Sequence, residues 1–141
     1  MAKSKITWKE DMAFNVELDG HNFAIDATAK VGEKNSGPSP KGLLLSALGG
    51  CTGMDIVSIL KKMKIENYEL EIEVEADQTD EHPIIYKDIV IIYNFHGEDL
   101  SISKLKRAVE LSETTYCGVS AMLGKAAKIS NQIKVNGELV S

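Results

Sequence analysis

The spacing of apolar positions changes several times along the chain, and each change marks a change of element. From Phe14 to Ile25 apolar and polar residues alternate: Phe14, Val16 and Leu18, then Phe23 and Ile25. A period of two is the mark of a half-buried strand. Asp19-Gly20 separates the two runs, and a pair that tolerates positive φ at both places predicts a two-residue hairpin turn. A short strand around Ile6 and Trp8 precedes them. Gly32 to Pro40 is polar with interspersed glycine and proline, which predicts a loop.

The period then lengthens to three and four. Leu44, Leu45, Leu48, Ile56, Ile59, Leu60 and Met63 outline a helix running through Lys64. Ser39 suits its N-cap, and Pro40 suits the first helical position, where a missing N–H costs nothing. Some 25 residues at ~1.5 Å rise make a rod of about 37 Å. Its first half is apolar nearly all round, which predicts burial on most sides. Gly49, Gly50 and Gly53 each weaken a helix by about 1 kcal/mol relative to alanine. Three of them together predict that another backbone or a substrate comes close.

Glu69 to Glu75 alternates strictly, with one apolar and one acidic face, as a half-exposed strand does. Ile84 to Phe95 carries Ile85, Ile89, Ile91, Tyr93 and Phe95 on one side and Tyr86, Val90 and Ile92 on the other. A strand apolar on both faces needs two covers, and a partner subunit is one source of the second. Leu105, Ala108, Val109 and Leu111 predict a short amphipathic helix capped by Ser101 or Ser103. Another helix is predicted from Thr114 through Leu123, with Gly124 interrupting it, and Ile129, Ile133 and Val135 form a final strand. The order βββ-α-ββ-αα-β, without repeats or linkers, predicts a single α+β domain over residues 1–141.

Composition narrows the function. The chain has 141 residues and a net charge of −5, which argues against nucleic acid, whose binding needs a basic patch. No run of about 18 uncharged apolar residues occurs, so no membrane span is expected. The N-terminus shows no apolar signal core, and the expected location is cytoplasmic. In a reducing cytosol the two cysteines are not expected to form a structural disulfide. Two cysteines and three scattered histidines, His21, His82 and His96, fall short of a four-ligand zinc site. No metal and no cofactor are expected. Cys51 and Cys117 are then either two inert buried thiols or a reversible redox pair.

A peroxide-reducing thiol must become a thiolate, must be reachable, and needs a second thiol to resolve its sulfenic acid. Cys51 shares a helix face with Leu44, Leu48 and Asp55. Leucines give an approach suited to an alkyl hydroperoxide, but burial and an ionised Asp55 both raise the thiol. A compensating cation or N–H donor is therefore required; by charge, Lys9, Lys30 and Lys41 are candidates. Cys117 lies at a predicted helix N-terminus, where the dipole and free N–H groups favour a thiolate.

Gly37-Pro38-Ser39-Pro40 leading into Leu43-Leu44-Leu45-Ser46-Ala47-Leu48-Gly49-Gly50-Cys51-Thr52, with Cys117-Gly118-Val119-Ser120 downstream, resembles the OsmC/Ohr family of osmotically inducible and organic-hydroperoxide-resistance proteins. The Gly-Gly-Cys-Thr form is most similar to the general OsmC-like branch. The resemblance implies an intertwined homodimer with antiparallel sheets and long, buried central helices. It further implies a peroxidatic Cys51, resolved by Cys117 and reduced by a dithiol, with an organic hydroperoxide as substrate. A non-catalytic dimer that binds an apolar small molecule or senses redox state is the alternative. The family's hydroperoxidases hold the thiolate with an N-terminal arginine paired to a glutamate soon after the helix-opening proline. Here the single arginine is Arg107, and Lys41-Gly42 follow Pro40.

Overall fold

The computed structural model describes residues 1–28 and 34–141; Lys30 lies outside them. The described residues fall into two compact units, Met1–Leu44 and Leu45–Ser141.

In the first unit β1 (Ser4–Glu10), β2 (Ala13–Leu18) and β3 (His21–Ile25) form an antiparallel meander. The predicted Asp19-Gly20 turn is present, with φ of 51° and 78°. The register places Ile6 opposite Val16 and Val16 opposite Phe23, so one face of the sheet is apolar. On that face Trp8 is 64% and Ile6 52% exposed. Past β3 the buried Asp26 carboxylate accepts hydrogen bonds from the Ala27 N–H, the Ser36 N–H and the Ser36 hydroxyl, and its own N–H donates to the Pro38 carbonyl. The Ser36 hydroxyl is the main reason that this carboxyl is held below its ordinary range. These bonds press the segment around Gly37 against β3. A Cβ built at Gly37 would stand 2.2 Å from the Ala24 carbonyl oxygen.

Helix α1 (Pro40–Lys62) begins as expected: Ser39 Oγ accepts the Gly42 N–H at 3.3 Å, and Pro40 is the first helical residue. It ends two residues before the predicted Lys64, which takes a φ of 63°. The Ile65 N–H reaches back to the Leu60 carbonyl and the Lys64 N–H to Lys61, a closure that satisfies the last carbonyls. By length and composition α1 is apolar enough to cross a membrane, a test that core helices of globular proteins also pass.

The second unit carries β4 (Glu69–Gln78), β5 (Tyr86–His96), β6 (Lys128–Val135) and β7 (Glu138–Leu139) in that spatial order. Every pair is antiparallel except β5 with β6, which is parallel. The departure follows from connectivity: helical segments carry the chain from the end of β5 back to the start of β6, and such a crossover delivers a parallel strand. Leu48, Ile56 and Leu60 of α1, the Ile89, Ile91, Tyr93 and Phe95 face of β5, Leu105 and Val109 of α2 (Ile102–Leu111), and Ile133 form the core. On other faces of α1 Met54 and Val57 are 77% and 48% exposed.

Two elements differ from the sequence expectation. The third predicted helix does not start at Thr114. Ser112–Tyr116 is instead a π-helical turn continuing from α2, closed by the Cys117 N–H on the Ser112 carbonyl at 2.7 Å, and α3 (Gly118–Leu123) comes next. The Thr114 hydroxyl donates to the Glu110 carbonyl, a back-bond of the kind that bends helices. The final strand is also a hairpin: Asn136-Gly137, with φ of 50° and 85°, turns β6 into β7.

Candidate functional site

Cys51 and Asp55 stand one turn apart on α1, so their side chains share a face. Cys117 is the N-cap of α3, its Sγ accepting the Ser120 N–H at 3.3 Å. The π-helical turn sets this cap. Its one extra residue rotates the downstream backbone relative to a continuous α-helix, and bulges of this type recur at functional sites. The result joins residues 66 positions apart: the Cys51 and Cys117 sulfurs and an Asp55 carboxylate oxygen all lie within 4.8 Å of one another. Both cysteines are free thiols; Cys117 is buried and Cys51 half-buried.

The electrostatics of Cys51 are mixed. The adjacent Cys117 thiol, then burial, and more weakly the charge of Asp55, push the Cys51 thiol above its ordinary value, while the Val119 N–H pulls the other way. The sequence required a cation or an N–H donor here, and the structure supplies the donor, from the first turn of α3. Arg107 is exposed on α2, with Nη1 3.4 Å from Glu110 Oε2. Lys9 and Lys41 belong to the first unit.

Alkylation of Cys51 is accordingly expected to be slower at pH 7 than that of an unperturbed thiol. Its rate should rise about tenfold per pH unit with the thiolate fraction and show no plateau below the ordinary thiol range. Peptide mapping of iodoacetamide adducts against pH measures it; a plateau below pH 7 would contradict the raised thiol.

Further residues complete the site and were not singled out from sequence. The buried Ser112 hydroxyl donates to Asp55 Oδ2 at 3.0 Å and lies 3.4 Å from the Thr52 carbonyl. A signal existed: Ser112 falls on the apolar stripe of Leu105, Ala108 and Val109, where a serine is out of pattern. Beside it the Tyr93 hydroxyl, fully buried, donates to Glu113 Oε1 at 3.2 Å, and Asn131 Nδ2 donates to the other Glu113 oxygen. Burial raises both the Tyr93 phenol and the Glu113 carboxyl, even though the bonds from Asn131 and Tyr93 favour the charged glutamate. These three residues come from β5, the π-helical turn and β6, so only the tertiary structure could assemble them.

Concavities flank α1. A groove of about 840 Å³ runs between α1 and β4, lined by Gly49, Gly50 and Gly53 on one wall and Leu70, Ile72 and Val74 on the other. Gly53 and Gly49 let the helix approach this sheet: Cβ atoms there would stand 2.8 Å from Ile72 Cδ1 and 3.1 Å from Val74 Cγ2. Gly50 faces open space. A smaller cleft of about 270 Å³, lined by Asp55, Ser58, Ile59, Lys62, Leu111 and Tyr116, gives an approach of mixed polarity to Asp55.

Residues 32–131 match the model of the family described as OsmC-like protein. Protein YhfA of Escherichia coli is 33% identical over 134 residues, covering 94% of this chain and 97% of that protein. A hypothetical protein from Aquifex aeolicus is similar in structure, with a TM-score of 0.82 and 28% identity over 96% of this chain and 98% of the other. The organic hydroperoxide resistance protein OhrB of Bacillus subtilis shares the fold at a TM-score of 0.66, with 20% identity over 95% and 98% of the two chains.

Proposed function

The chain belongs to the OsmC-like protein family, and from that premise we propose that it is a thiol-dependent reductase of organic hydroperoxides, with Cys51 attacking and Cys117 resolving. The observation that carries this reading is the approach of the two sulfurs to within 4.8 Å. The Cys51 thiolate attacks the terminal peroxide oxygen. The O–O bond breaks, the alcohol leaves with a proton, and Cys51 becomes a sulfenic acid. Cys117 then displaces water to form the disulfide, and an external dithiol returns both cysteines to thiols while becoming a disulfide itself.

An S–S bond is about 2.05 Å long, so side-chain rotation, together with adjustment at the cap of α3, has to close the remaining gap. Half-burial of Cys51 suits an alkyl hydroperoxide better than hydrogen peroxide. No cofactor is needed for any of these steps, and the reaction is placed in the cytoplasm, where dithiol reductants are maintained.

The working unit in this reading is a homodimer. The uncovered apolar face of β1–β3 and the exposed Met54 and Val57 on the walls of the long groove are surfaces that a second copy would cover. Val57→Asp should convert the dimer to a monomer, weakening association by at least about a hundredfold without touching the core. Light scattering on the eluting protein measures it, and an unchanged dimer mass would refute the assignment of this face.

A second reading is favoured by the raised Cys51 thiol: a non-catalytic dimer that holds an apolar molecule in the groove or responds slowly to oxidants. The deciding experiment is dithiol-dependent consumption of cumene hydroperoxide by the pure, reduced protein. Multiple turnovers support the reductase; a single slow oxidation, with a retained molecule seen by native mass spectrometry, supports the binder.

A further inference from the structure

We propose that the reduced protein binds one soft or borderline divalent cation of the zinc class through Cys51 Sγ, Cys117 Sγ and the Asp55 carboxylate. Three ligand atoms of the required kinds lie within 4.8 Å of one another. A tetrahedral ion with metal–sulfur distances of about 2.3 Å and metal–oxygen distances of about 2.0–2.2 Å spaces its ligand atoms roughly 3.5–3.8 Å apart. Contraction by about 1 Å, within reach of side-chain rotation, completes the site. The expectation of no metal counted four nitrogen or sulfur ligands near one another in sequence. The fold instead recruits a carboxylate one helical turn from one thiol, and the second thiol from another element.

The surroundings are those of an orienting outer shell. Ser112 donates to Asp55 Oδ2 at 3.0 Å, fixing the carboxylate and leaving Oδ1 for the ion. The Ser120 N–H donates to Cys117 Sγ, and the Val119 N–H favours the charged form of Cys51. Two thiolates and a carboxylate gathered this closely repel one another, and a dication removes that repulsion. Two sulfurs select zinc-like ions over magnesium or calcium. Three protein ligands leave a fourth position for water or a small thiol, as in exchangeable sites rather than closed structural ones.

Binding releases the thiol protons to solvent and slows, without abolishing, reaction at both sulfurs. Oxidation reverses it: the two metal-bound thiolates, one hydroperoxide and two protons give the disulfide, the alcohol, water and the free cation. This release rests on the reductase reading; binding itself does not, so the two fail separately.

The test is titration of reduced, metal-free protein with Co²⁺ under argon, without peroxide. The expected result is saturation at one equivalent per chain, with a near-ultraviolet sulfur-to-cobalt charge-transfer band that Zn²⁺ abolishes. Cys51→Ser and Cys117→Ser should each lose about half of the band per bound ion and bind far more weakly. Asp55→Asn should keep the band and weaken binding by about tenfold or more. Absence of the band at equimolar metal, or an unchanged affinity in folded Asp55→Asn, overturns the proposal. X-ray absorption on the zinc-loaded native protein in thiol-free buffer is the check that needs no variant: two sulfur and two lighter neighbours are expected, and any other sulfur count overturns it.

Discussion

Replacement of Cys51 by serine should remove dithiol-dependent hydroperoxide reduction, lowering turnover on the order of a thousandfold or more. A serine hydroxyl at this position is a far weaker nucleophile than a thiolate and cannot form a sulfenic acid. The fold should survive, because the side chain is half-buried and isosteric to within one atom. Cys117→Ser should behave differently: the first oxidation proceeds, no disulfide forms, and the sulfenic acid persists long enough to be trapped by dimedone at Cys51. Coupled consumption of the dithiol gives the rates, and intact-mass spectrometry identifies the adduct. Activity that survived in Cys51→Ser would remove Cys51 from the mechanism. A dimedone adduct at Cys117 in Cys51→Ser, with none at Cys51 in Cys117→Ser, would reverse the two roles.

The second large effect is expected in the first unit. Gly37→Ala should destabilise the protein by about 3 kcal/mol, a fall in Tm of roughly 10 °C for a chain of this size. The reason is steric and local: the added carbon would stand 2.2 Å from a carbonyl oxygen of β3, and backbone cannot rotate away as a side chain can. The bonds from Ser36 and Ala27 to Asp26, with the Asp26 N–H to Pro38, hold the segment where the clash occurs. Gly118→Ala is the control, since a Cβ there meets nothing within 4 Å, and should stay within about 0.5 kcal/mol. Differential scanning calorimetry on both variants tests the pair. Equal melting temperatures would mean that Gly37 is not the tight contact the structure describes.

Gly37 also shows how a sequence motif acquires its physical content. As Gly37-Pro38-Ser39-Pro40 it carried the family resemblance and the helix start, and the cap at Ser39 and first-turn Pro40 were legible because they depend only on local geometry. Its contact with Ala24 was not legible, since nothing in either residue names the other. The Asp19-Gly20 hairpin could be read for the same local reason as the cap. Asn136-Gly137 carries an equally strong signal that the apolar count passed over, because only a two-residue strand lies beyond it.

Local periodicity alone determined most elements of this protein: the meander, the long helix with Cys51 on it, the alternating Glu69–Gln78 strand and the amphipathic α2. Period-two and period-three-to-four patterns report which faces a segment must bury, and that demand is written in adjacent residues. Tertiary structure decided the rest. The parallel pairing of β5 with β6, the π-helical turn that positions the Cys117 cap, and the joining of Ser112 to Asp55 and of Tyr93 to Glu113 and Asn131 all depend on contacts between distant segments. So does the approach of Cys51 to Cys117. Two thiols 66 positions apart have no local interaction, and only the packing of α1 in a common core with β5 and α2 brings them together.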